Sequence, residues 1–150
     1  MAGLVATPVT GADSGLCDAL ADAQLPIEDL TDDGRRFFRF ELDGRTIGYG
    51  GFEPHGDHAL IRSIVVLPAA RGQGLGRAVA EGVMRQAAAA HCVQAFLLTT
   101  SAADFFAHLG FAPTDRADAP AAILATRQAT NICTTATLLA RRLDGWHATV

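Results

Sequence analysis

Apolar residues fall into short blocks along the chain, and their period changes from block to block. Residues 4–10 alternate in part and predict a first strand. Leu16, Ala19, Leu20 and Ala23 share one side of a helix that Asp13 or Ser14 can cap. Leu25-Pro-Ile-Glu-Asp-Leu30 reads as a second, short helix with Pro26 in its first turn. Residues 36–42 alternate, with Phe38, Phe40 and Leu42 on one face and Phe37, Arg39 and Glu41 on the other, which predicts a half-buried strand. Asp43-Gly44 is a two-residue turn that permits positive φ, so residues 45–53 should return antiparallel. Gly48, Gly50 and Gly51 within that return predict a bulge or a close backbone approach. After the His55-Gly-Asp-His58 turn, residues 60–67 are apolar and β-branched except for Arg62 and Ser63. That is the pattern of a central strand covered on both faces, and Pro68 ends it.

The period then switches. Leu75, Ala78, Val79, Gly82, Val83 and Ala87 follow the spacing of a helix laid on a sheet. Residues 94–100 form a fifth strand, parallel to the fourth because a helix crosses between them. Ser101 or Asp104 should cap a short helix that ends at Gly110. A proline-started helix over 120–129 and a last strand over 135–142 complete the α/β pattern. With 150 residues, 49% of them hydrophobic, the chain is expected to be one domain with its core at about 4–143 and a frayed tail at 144–150.

Charge narrows the partners. The net charge is −4, all 12 basic residues are arginine, and no basic stripe exists to displace counterions from a nucleic acid. No apolar run reaches 18 residues and no basic segment leads into a hydrophobic one near the start, so neither a membrane span nor a leader is expected, and the cytoplasm is the expected compartment. Cys17, Cys92 and Cys133 are odd in number and widely spaced, which predicts unpaired buried thiols rather than disulfides or a zinc site. His55 and His58 lack a third ligand and read as solvated hairpin residues, so no metal is expected.

Candidate chemistry centres on Arg71-Gly72-Gln73-Gly74-Leu75-Gly76-Arg77. Three glycines in five residues let successive N–H groups point into one concavity, and the helix that follows adds its positive N-terminus. Such a nest binds phosphate. The dinucleotide fingerprint needs a different glycine spacing and the P-loop needs a lysine, which this chain lacks. What remains, Arg/Gln-x-x-Gly-x-Gly after a strand ending Val-x-Pro, resembles the pyrophosphate loop of the GNAT superfamily of acyl-CoA N-acyltransferases. Phe105-Phe-x-x-x-Gly-Phe111 is similar to a second motif of that superfamily and extends the resemblance over most of residues 35–115.

The resemblance implies a GNAT fold: a mixed sheet of six or seven strands, four or five flanking helices, and strands four and five splayed apart. It implies acetyl-CoA as cosubstrate and a small amine as partner, in a monomer or homodimer. Residues 71–77 would hold the pyrophosphate, and the free backbone groups of Ile64, Val65 and Val66 would pair with pantetheine. Phe105 and Phe106 fall in the second cofactor motif. Phe106 departs from the pattern, because many relatives carry there a tyrosine thought to protonate the leaving thiolate. A phenyl ring cannot donate a proton, so a non-catalytic acyl-CoA-binding module stands as the alternative. The segment after the first strand would lie over the substrate.

Glu53, closing the third strand, is the candidate general base, with a solvated hairpin-end carboxylate as the other reading. Arg62 lies inside the buried strand and needs a counter-charge, either a substrate carboxylate or a structural partner such as Glu53. Thr99, Thr100 and Ser101 either line the acceptor side or cap the next helix.

A narrower resemblance rests on Leu25-Pro-x-Glu-Asp-Leu30, Leu60-Ile-Arg-Ser63, Arg116-Ala-Asp-Ala-Pro-Ala-x-Ile123, Thr126-x-Gln128 and the late Cys133. These look like the arsenic resistance N-acetyltransferase subfamily, which implies an arsenic-containing or amino-acid-like amine as acceptor.

Overall fold

The computed structural model describes residues 3–126, 129 and 136–143. Among these, seven strands form one sheet: β1 Val5–Val9, β2 Arg36–Leu42, β3 Arg45–His55, β4 His58–Val66, β5 Gln94–Thr99, β6 Ala112–Pro113 and β7 Thr137–Arg142. Their spatial order is β1-β2-β3-β4-β5-β7-β6. Every pairing is antiparallel except β4 with β5. The helices are α1 Ser14–Asp22, α2 Leu75–Ala89, α3 Ala103–Ala107 and α4 Ala121–Leu124, with short 3-10 turns at Pro68–Ala70 and Arg116–Asp118.

The two faces of the sheet follow from alternation. Phe38, Phe40, Ile47, Phe52, Ile61 and Leu97 point to the side where Val79, Val83, Met84 and Ala87 of α2 and Phe106 of α3 pack. Phe37, Tyr49 and Val65 point the other way, onto Leu16 and Leu20 of α1. On that same side Leu60, Phe96 and Leu138 receive Ile123 of α4. Adjacent Phe37 and Phe38 thus enter different cores, as a period of two requires.

Most expected elements are present, including the Asp13 cap, whose carboxylate accepts from the Leu16 N–H at 3.0 Å. The Asp43-Gly44 turn has φ of 53° and 78°. Several expectations are corrected. Residues 25–30 form no helix; Gln24 takes a left-handed φ of 59°, the residue before Pro26 is biased away from the helical region, and the segment runs as turns. Of the helix expected over 120–129, Ala121–Leu124 is helical and a turn at Ala125 and a bend at Thr126 follow, while residues 127 and 128 lie outside the described residues. Neither Ser101 nor Asp104 caps α3, which has no side-chain cap; the Thr99 hydroxyl instead braces the turn before it, accepting from the N–H groups of Ser101 (3.3 Å) and Ala102 (2.9 Å). His55 and His58 are not simply solvated: His55 lies 3.3 Å from Glu53, and His58 packs edge-on against Phe96. Cys92 is buried as expected, and burial pushes its thiol up in pKa, whereas Cys17 is only half-buried. Cys133 and the tail at 144–150 lie outside the described residues.

Candidate active site

The site begins where two parallel strands part. Pairing between β4 and β5 is limited to His58–Leu60 against Gln94–Phe96. Beyond that, β4 stays on β3 while β5 stays on β7. The divergence coincides with a bulge: the β3–β4 register slips between Tyr49 and Gly51, and Ser63 opposite that slip has φ 61°. A left-handed serine costs on the order of 1–2 kcal/mol, and a bulge bends and twists its strand. The Ser63 hydroxyl is held by the Nε–H of Arg62 at 3.1 Å. Glycine at 48 permits the tight packing alongside, since a Cβ there would sit 2.3 Å from the Val65 carbonyl oxygen.

The parted strands enclose a cavity of about 320 Å³. Residues 61–64 of β4 form one wall and residues 97–102 the other. Phe106 of α3 and residues 24–26 of the loop after α1 also line the cavity. Of the two readings of residues 99–101, the capping one is not seen, since α3 has no side-chain cap, whereas all three residues line the cavity.

Beside the cavity, the loop 71–74 leads into α2. Gly74 occupies the N-cap in the left-handed region with φ 72°, and a Cβ there would meet nothing within 4 Å, so the concavity is open. The Nε–H of Arg71 folds back to the Val66 carbonyl at 3.0 Å, and the Gln73 amide reaches the Ala69 carbonyl at 3.4 Å. These contacts brace the loop against the turn before it. The first N–H groups of α2 have no intrahelical partner, and the helix dipole favours an anion there. Arg77 pairs on the exposed flank with Glu81 at 3.3 Å. Phe105, 39% exposed, packs against the same loop, its ring 3.6 Å from where a Cβ of Gly76 would lie. This donor set fits a pyrophosphate. Ile64 lines the cavity, Val66 packs beside Gly76, and Val65 turns into the α1 core.

Behind the cavity wall lies a buried cluster of charges. Arg62 donates from Nη1 to Asp29 (2.6 Å) and Glu53 (2.8 Å), and from Nη2 to the second Asp29 oxygen (2.6 Å). Arg35 reaches Asp29 at 3.1 Å and lies 3.7 Å from Glu53. The side chains of Asp29, Glu53 and Arg62 are 0%, 1% and 2% exposed. Burial is the largest influence on Asp29 and raises its pKa, but the hydrogen bonds and charges of Arg62 and then Arg35 outweigh it and hold the carboxyl below its ordinary value. Burial likewise pulls Arg62 down, and Asp29 followed by Glu53 more than restores it. Of the two readings of Arg62, the ion pair with Glu53 is present. Glu53 itself does not line the cavity; Arg62 stands in front of it. Among the described residues, no group of three or more His, Cys, Asp or Glu side chains is gathered as for a metal, and no helix is long and apolar enough to cross a membrane.

A family model described as the acetyltransferase (GNAT) family matches residues 12–111, which spans α1, the bulge, the glycine loop and α3. The chain belongs to the GNAT family. No curated protein sequence matches it. Among solved structures, this GNAT chain is similar to N-acetylglutamate synthase from Neisseria gonorrhoeae complexed with coenzyme A and N-acetyl-glutamate, with TM-score 0.73 and 18% identity over 95% of this chain. It spans only 36% of that protein. GCN5 of Tetrahymena matches with TM-score 0.70 and 14% identity, covering 97% of this chain and 98% of that one. A GNAT-family acetyltransferase from Staphylococcus aureus matches with TM-score 0.67 and 14% identity, covering 93% and 99%. At such identities the likeness establishes the GNAT fold.

Asp29 and Arg35 are the members of the charge cluster that the sequence reading missed. The requirement that Arg62 be paired was visible, but its main partner comes from a segment read as a second, short helix. The signal available was an acidic pair, Glu28-Asp29, set between apolar Ile27 and Leu30 just after Pro26.

Proposed function

We propose that the chain transfers the acetyl group of acetyl-CoA to the amine of a small molecule. The observation that carries this is the opening of β4 from β5 past Leu60 and Phe96 immediately beside the glycine loop. One phosphate-binding nest and one lined cavity thus share the strand that joins them. The structure of N-acetylglutamate synthase with coenzyme A supports the choice of cosubstrate.

Acetyl-CoA supplies an acyl carbon activated as a thioester. Residues 71–77 hold the pyrophosphate through backbone N–H groups, with Arg71 and Arg77 beside it and Phe105 against the loop. Ile64, Val65 and Val66 present the backbone edge that orients pantetheine, and N–H groups at the bulge polarise the thioester carbonyl, the kind of electrostatic assistance that contributes most to acyl transfer. Residues 24–26, Arg62 and residues 99–101 position the amine so that its N–C bond forms as the C–S bond breaks. The amine proton passes to solvent and the sulfur leaves as thiolate, because Phe106 has no proton to give. Glu53 holds Arg62 and is not the group that takes the amine proton, since both its oxygens are engaged and Arg62 separates it from the cavity.

The test measures release of free thiol from acetyl-CoA with a panel of amines. The narrower sequence resemblance supports including arsenic-containing and amino-acid-like amines in that panel. Acetyl-CoA binding with no turnover on any of them would favour the second reading, a binding or sensing module, for which Phe106 is the specific observation.

A further inference from the structure

The segment between α1 and β2 has no regular secondary structure beyond turns, yet it supplies residues 24–26 to the cavity. What holds it there is the question. Leu30 enters the α1 core, and Asp29 next to it is fully buried with both oxygens on Arg62. Pro26 is three residues from Asp29, no more than about 10 Å along even an extended chain, so the anchor and the wall are mechanically one piece. The same guanidinium reaches Glu53 on β3 and the Ser63 hydroxyl at the bulge. One side chain therefore ties the loop, the neighbouring strand and the bulge together.

Net stability is a poor explanation for this arrangement. Buried ion pairs often contribute little compared with apolar residues of the same shape, because desolvating the charges offsets their attraction. A two-pronged carboxylate–guanidinium pair does fix relative orientation in a way that apolar packing does not. We propose that Asp29 is a positioning residue for the amine acceptor: through Arg62 it latches residues 24–26 as the acceptor wall of the cavity. This rests on the acetyl-transfer reading of that cavity. Asp29 touches neither substrate, and its effect passes through Arg62.

Asp29→Asn keeps the shape of the side chain but turns one acceptor into a donor facing Nη–H. The amine KM should then rise about tenfold or more while kcat changes by less than about threefold, a misplacement effect rather than a chemical one. Coenzyme A affinity, measured by titration, should stay within about twofold. Hydrogen exchange supplies a readout independent of turnover: amides of residues 24–34 should lose protection while those of β3, β4, β5 and α2 keep theirs. Unchanged amine KM with unchanged loop protection overturns the proposal. So does protection lost evenly over the whole sheet, which marks a merely structural acid. Should Asp29→Asn not fold, Arg35→Gln removes the outer partner, whose side chain is 12% exposed, and should shift both readouts in the same direction by a smaller amount. No shift in either would again overturn it. If no amine is turned over at all, selective loop deprotection keeps the latch and sinks the acetyl-transfer reading instead.

Discussion

At the start of α2, the groups proposed to meet phosphate come from seven consecutive residues, 71–77, and would act mainly through backbone N–H. On the side bounded by the loop after α1, the four central charges are Asp29, Arg35, Glu53 and Arg62, drawn from positions up to 33 apart and acting through side chains. The first region is local and depends on allowed φ values. The second exists only when the sheet has formed and brought β2, β3 and β4 into register. A change on the local side should therefore remove one property and leave the rest, whereas removing the guanidinium at the centre of the charge cluster should be felt through the fold.

The largest expected effect is on the composite side. Arg62→Ala leaves two buried carboxylates without their main partner, and stability to denaturant should fall by roughly 3–5 kcal/mol. A loss under about 1 kcal/mol would mean that apolar packing, not charge, holds that side. The pH dependence has a definite sign. Asp29 has a native pKa depressed below 3.8, so its contribution is fully present above that value and is lost as pH falls through the lower native one. In Arg62→Ala the acid-unfolding transition should move upward in pH.

Gly74→Asp breaks the local side. It places a β-carbon in a left-handed conformation, at a cost on the order of 1–2 kcal/mol, and a negative charge where phosphate is proposed to lie. Coenzyme A affinity should fall at least about 100-fold, near 2.7 kcal/mol, while exchange protection of residues 24–34 stays as in the parent. A folded variant with unchanged affinity would remove the glycine loop from the site.

The same contrast explains what the sequence disclosed. The glycine loop, the Asp43-Gly44 hairpin and the parallel β4–β5 pair rest on contiguous patterns, and all three are where the pattern placed them. The segment 25–30 reads as a helix because proline and acids near its start mimic helix-opening chemistry. In the structure its acid is drawn inward by Arg62, a partner 33 residues away that no local window contains. The two-residue β6 has no periodicity to detect and is defined by its pairing with β7.

A smaller effect separates positioning from proton transfer. Glu53→Gln keeps a group that can accept from Arg62, and Asp29 remains in place. Turnover should drop by less than about tenfold, with the shape of the pH–rate profile retained. A drop of about 10²–10⁴ with loss of the acidic limb would instead make Glu53 the general base, reaching the amine through water.

The smallest change lies where the two sides meet. Phe106 packs its ring edge-on against Phe105 and Phe111, with centroids at 5.0 and 5.7 Å, and borders the cavity. Phe106→Tyr adds a hydroxyl without removing any of that contact area. Because the residue borders a cavity with hydroxyls at Thr99, Thr100 and Ser101, the new group has polar neighbours, and stability should change by less than about 0.5 kcal/mol. Its effect on rate depends on how much the leaving sulfur needs a proton. Thiols of the cysteine type titrate at roughly 8.5, so a thiolate departs near neutrality far more readily than an alkoxide would. General-acid help is then worth little, and thiol release should rise by less than about tenfold. A parent protein without turnover whose tyrosine variant releases thiol would reverse that reasoning: departure of the sulfur would be the blocked step, and the chain as it stands would be a binder of acyl-CoA.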